Sequence, residues 1–224
     1  MMMNLFSIFD PSTSMNFSMN WISSIYIIMF YPNLFWLIPS RWNYMYMNLL
    51  KYLINEFYML LNKKINVINM ILFIGLFMNI MLNNFMGLFP YIYTSTSQMT
   101  FSMTLSMSLW IMMMLFGWMI NTNFMFTHLV PQGTPNLLMP FMVLIESISN
   151  VIRPITLAVR LSANMIAGHL LMTLISSTGS KLNMLMLFIM LMTQSMLIIL
   201  ELSVSVIQAY VFSVLSLLYS TETN

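Results

Sequence analysis

The sequence predicts an all-α integral membrane protein: two to three upright transmembrane helices, one interfacial amphipathic helix, and a hairpin of two long, steeply tilted membrane helices. Three observations carry this prediction. Of 224 residues, 60% are hydrophobic and 5% are charged, with a mean hydropathy of +0.86, whereas a soluble domain carries roughly a quarter charged residues. Second, no charge falls between Lys64 and Glu146. Third, two apolar runs at 136–176 and 183–219 are each roughly 40 residues long, or about 55–60 Å at a rise of about 1.5 Å per residue. That is close to twice the hydrocarbon thickness of about 30 Å, so neither can stand upright.

The chain reads as a single membrane domain, 1–224, whose elements follow in order. Residues 16–38 hold no charge and are long enough to cross a bilayer as a first span. Residues 41–64 mix Trp42, Tyr44, Tyr46 and Tyr52 with Arg41, Lys51, Lys63 and Lys64, which suits an amphipathic helix lying in the interface. Four of the seven basic residues are here, so this stretch is expected on the inner, matrix side, with the N-terminus on the intermembrane side and the C-terminus in the matrix. Residues 65–89 form the next span and residues 91–98 an outer loop. Residues 100–120 carry Ser102, Thr104, Ser106 and Ser108 at every second position, a strand-like alternation. A lone strand leaves its backbone unpaired in lipid, so a helix is expected, with the hydroxyls turned back on carbonyls. Residues 121–135 read as an inner loop rich in turn formers. The two long runs then pair as a hairpin across the turn STGSK, the first of them kinked at Pro154.

Several function classes drop out. There is no cysteine, and His128 and His169 lack ligand spacing, so no metal and no cofactor is expected. The net charge of +2 is dispersed, which argues against nucleic acid. No phosphate-cradling glycine loop and no nucleophile beside a base is present, so the chain is not expected to be an enzyme in its own right. The first residues contain neither Arg nor Lys, unlike a secretory or mitochondrial leader. The 30 methionines run through every segment. Packing does not require them, and AT-rich coding in which a second codon reads as Met points to a mitochondrial genome.

The remaining charges are the informative ones. An ionisable side chain at membrane depth costs at least about 2.5–3.5 kcal/mol on insertion scales, so such residues face protein or water. Glu146, Arg153 and Arg160 are spaced by seven, and seven residues fall only about 20° short of two full turns, which makes one stripe. Asn164 extends it. On the second long run Gln194, Glu201 and Gln208 repeat the spacing, with Ser205 on the same side. These seams could be interhelical glue, but glue alone does not call for so many charges, amides and a histidine. They suit a wet ion path. Arginine stays protonated and holds a fixed positive field, whereas carboxylate and imidazole exchange protons. The residue types therefore make Glu201, His169 and Glu146 exchangers and Arg160 a proton gate.

The motifs RLSANMIAGHLL (Arg160 to Leu171), HLVPQGTP (His128 to Pro135), NNFMGLFP (Asn83 to Pro90) and ELSVSVIQAYVF (Glu201 to Phe212) together resemble the a subunit (subunit 6) family of mitochondrial F-type ATP synthase. The resemblance runs from about residue 83 to the C-terminus. It implies a stator in the mitochondrial inner membrane, lying against a rotating c-ring whose essential carboxylate faces Arg160, with two proton half-channels coupling proton flow to ATP synthesis. It also implies other membrane-sector and peripheral-stalk subunits, together with lipid, as partners. Asn164 and Gln208 would line the path beside Arg160, His169 and Glu201 would form the uptake relay, and Glu146 would belong to a half-channel. Arg153 departs from the neutral residue usual there and is expected to pair with Glu146. A stand-alone channel or transporter would be expected to carry inverted repeats, and a respiratory-complex subunit intramembrane lysines or paired histidines. Neither pattern is present.

Overall fold

The computed structural model describes residues 5–14, 17–32, 35–61, 67–130, 135, 138–179 and 182–223. Lys63 and Lys64, counted above toward the interfacial stretch, and Lys181 of the hairpin turn lie outside them. Among the described residues the chain is helical without strands. Four helices are long and apolar enough to cross a membrane: α3 (Val67–Gly87), α4 (Met99–Ile120), α6 (Met139–Thr178) and α7 (Met184–Glu222).

The 16–38 stretch is not one span. It forms a 3₁₀ turn at Met19–Trp21, a short α1 (Ile22–Tyr26) and a second 3₁₀ turn at Ile27–Phe30, roughly 20 Å in all and short of the hydrocarbon thickness. Pro32 supplies the reason. A residue before proline is driven out of the helical region, and Tyr31 is extended (φ −68°, ψ 124°). Among the described residues, α3 and α4 are therefore the long apolar helices that accompany α6 and α7.

Helix α2 (Arg41–Leu60) starts at Ser40, whose hydroxyl accepts from the Asn43 N–H at 3.3 Å, the local geometry that makes serine a good N-cap. Its apolar side is turned inward: Leu53 and Phe57 are buried against α3 and α7, while Trp42, Tyr44, Tyr52 and Tyr58 are exposed. Phe57 is 0% exposed beside Met70, Phe73 and Leu217. Truncating a fully enclosed phenylalanine costs about 3 kcal/mol or more. The Phe57→Ala protein in detergent is accordingly expected to melt at lower temperature, with α2 cleaved earlier by protease, and unchanged melting would sink this account.

Helix α3 packs chiefly on α7, and α4 on α6. Leu53, Phe77, Ile80, Leu157, Leu161 and Phe212 meet where α2, α3, α6 and α7 converge. The α4 hydroxyls of Ser102, Thr104, Ser106 and Ser108 donate to the carbonyls of Met99, Phe101, Met103 and Leu105, so none demands a partner in lipid. The expected loop after α4 holds a two-turn helix, α5 (Thr122–Leu129), with His128 exposed in its last turn. Helix α6 runs unbroken through Pro154, which is buried. The end of α3 is knitted to the following loop by Asn83, which donates to Asn79 and accepts from the Ser95 hydroxyl. This fixes residues 94–98 against α6.

Candidate functional site

Helices α6 and α7 close on each other at Gly168 and Glu201. A Cβ at Gly168 would lie 2.7 Å from Glu201 Oε1 and 3.0 Å from its Cδ, so the carboxylate rests on bare backbone. Only a residue without a side chain leaves that room. Glu201 is 9% exposed, and neither of its oxygens has a hydrogen-bond partner among the described residues; the same holds for buried His169 Nε2. Both line a cleft of about 320 Å³ to which α6 also gives Asn164 and Ala167 and α7 gives Val204 and Gln208. Buried polar groups in native proteins are almost always satisfied. The cleft is lined largely by apolar side chains such as Leu88, Leu171, Leu200 and Val204, but it has room for water as the missing partner of Glu201 and His169. A carboxylate and an imidazole bridged by water can exchange protons.

A second cluster sits at the other end of α6. Arg153 contacts Glu146 at 3.6 Å and is also hydrogen-bonded to Glu222, and its guanidinium lies 5.2 Å from the Tyr219 ring centroid. Glu222, which sequence reasoning left without a role, ties the end of α7 to α6. Such partly exposed pairs contribute at most about 1 kcal/mol each, so the cluster orders the end of α7 more than it stabilises the fold.

Arg160 lies between these clusters, about 21 Å of helix from Glu146 and about 14 Å from His169. It is exposed and has no hydrogen bond or ion pair among the described residues. It does not line the cleft. Gln194 is partly exposed two turns from Glu201 and is likewise outside the cleft. Ser205 is buried, and its hydroxyl donates to the Leu202 carbonyl, so it is spent within its own helix. The Ser205 carbonyl is approached by Asn84 Nδ2 at 3.5 Å, the outer limit for a hydrogen bond, and Asn84 Oδ1 is buried without a partner. Asn84 does not line the cleft and joins α3 to α7.

Fold and site together define a polytopic membrane protein whose two longest helices place a carboxylate and an imidazole in one open cleft. A family profile described as the ATP synthase A chain matches residues 13–221. The chain is 54% identical to the ATP synthase subunit a of Drosophila melanogaster over 224 residues, covering all of both chains. It is 56% identical to that of Locusta migratoria, covering 99% of each, and 54% identical to that of Aedes aegypti, covering all of both. The chain belongs to the ATP synthase A chain family.

Proposed function

We infer that this chain is the proton-translocating stator subunit of the F-type ATP synthase membrane sector in the mitochondrial inner membrane, performing no ATP chemistry itself. Family membership supports the assembly. The observation that carries the mechanism is the cleft in which Glu201 and His169 hold unpartnered polar atoms beside Asn164 and Gln208. Protons enter from the intermembrane side through this cleft and load a carboxylate on the c-ring. They leave on the matrix side near Glu146, and Arg160 separates the two paths. The exposure of Arg160, and of Leu185, Phe188, Leu191 and Met192 along the first half of α7, fits a ring covering this face.

A swap tests the relay. In reconstituted complex, Glu201→His and His169→Glu are each expected to slow proton-driven ATP synthesis about 100-fold, the lower end of the effect of losing one positioned acid–base group. The double swap keeps one carboxylate and one imidazole in the cleft and is expected to recover much of the loss. Full activity in both single variants would remove Glu201 and His169 from the path.

A further inference from the structure

The first residues of the chain reach the uptake cleft. A 3₁₀ helix at Leu5–Phe9 brings the Phe9 ring edge-on to the His169 imidazole, 6.5 Å between centroids at 77°. This placement is fixed independently from the loop after α3: the Phe9 carbonyl accepts from Gln98 Nε2 at 2.6 Å and from the Tyr93 hydroxyl at 3.4 Å. Asn20 donates to the Asp10 carbonyl, and Asp10 Oδ1 accepts from the Ser12 N–H, which turns the chain back at this point. The loop after α3 and Asn20 thus hold this turn against a histidine whose Nε2 is buried without a partner among the described residues.

We propose that this segment forms the outer rim of the proton-uptake cleft, with Phe9 positioning the His169 imidazole and Asp10 collecting protons at the mouth. The proposal rests on the stator reading above. An aromatic edge against the ring restricts imidazole rotation and so keeps one nitrogen directed into the cleft. Asp10 is exposed and directly follows Phe9, whose ring touches His169 of the cleft. A fixed negative charge at the mouth of a low-dielectric cleft raises the local concentration of cations and their rate of capture. Among the described residues, the polar groups facing this segment are the Ser12 N–H, the Asn20 amide, the Tyr93 phenol, the Gln98 amide and the His169 imidazole, none of them a permanent cation that would cancel Asp10. Burial pushes the Tyr93 phenol up from its ordinary value, Gln98 opposes the rise, and the nearby Asp10 carboxylate adds to it. Tyr93 therefore stays a neutral donor to Phe9.

The chain has no cysteine of its own, which allows the charge at position 10 to be set by chemistry. In reconstituted complex, Asp10→Asn is expected to slow proton-driven synthesis on the order of threefold at low ionic strength, with the deficit shrinking as salt screens the site. Asp10→Cys should behave alike, recover on reaction with an anionic methanethiosulfonate and fall further with a cationic one. Phe9→Ala should lower the rate by about tenfold, less than the roughly 100-fold or more of losing an acid–base group outright, and Phe9→Tyr, which keeps the aromatic edge, should restore it. A structural strap would respond neither to the sign of the reagent nor to salt. Should Phe9→Ala fail to assemble, the Asp10 series decides alone. Wild-type rates in the Asp10 variants, with either reagent and at every ionic strength, overturn the proposal. If at the same time Glu201→His still slows synthesis, the stator reading survives and only the rim is lost.

Discussion

Replacing Arg160 with alanine is expected to abolish proton-driven ATP synthesis while passive proton leak through the complex persists or rises. The guanidinium is exposed on α6 and has no internal partner among the described residues, so its charge is available to whatever covers that face. A cation within about 4–6 Å of a carboxylate lowers the carboxylate's pKa by about 1–3 units. Removing it should therefore slow forced deprotonation of a passing ring carboxylate by about 10- to 1000-fold, since one unit is a factor of ten. The same charge repels protons moving directly between the two paths, so the leak should not fall with synthesis. Arg160→Lys keeps the charge but loses the planar fork and the near-permanent protonation, and should retain a small part of the coupled rate. Synthesis at the wild-type rate in Arg160→Ala would make the residue structural and remove the separation of the two paths.

Period is a property of sequence, so the two stripes follow from spacing alone. Of the first, Glu146 pairs with Arg153 while Arg160 stays exposed; of Gln194, Glu201 and Gln208, Glu201 is the one buried against α6. Two things had no such signal. Phe9 meets His169 across most of the chain, and no local pattern encodes a contact between distant segments. Gly168 acts through the absence of a side chain, which leaves no mark in a hydrophobic pattern. The first apolar stretch was misjudged for a different reason: its composition suits a membrane helix, but Pro32 drives Tyr31 extended and cuts the helical run short of the bilayer. Glu222 was passed over as a terminal charge, although a second carboxylate beside Arg153 settles where that guanidinium is engaged and leaves Arg160 as the uncommitted arginine of the stripe.

Gly168 gives the second large effect. An added Cβ would sit 2.7 Å from Glu201 Oε1 and 3.2 Å from Cγ, closer than packed atoms settle. The atoms it meets belong to the end of a flexible side chain rather than to backbone, so the helices can stay where they are while the carboxylate swings aside. Alanine also gains about 0.5–1 kcal/mol of helix propensity over glycine, which offsets part of the strain. The expected result is therefore a separation of function from folding: Gly168→Ala assembles and melts close to wild type, yet loses proton-driven synthesis by about tenfold because the Glu201 carboxylate is pushed from its place in the cleft, a smaller loss than the roughly 100-fold or more of removing an acid–base group outright. Gly168→Val, with two more carbons at the same point, should lose about 100-fold. Gly75 provides the control, since a Cβ there meets nothing within 4 Å, and Gly75→Ala should leave synthesis intact. Equal activity of Gly168→Val and Gly75→Ala would show that the position of the Glu201 carboxylate does not matter for coupling, and the cleft would then be a packing defect filled with water.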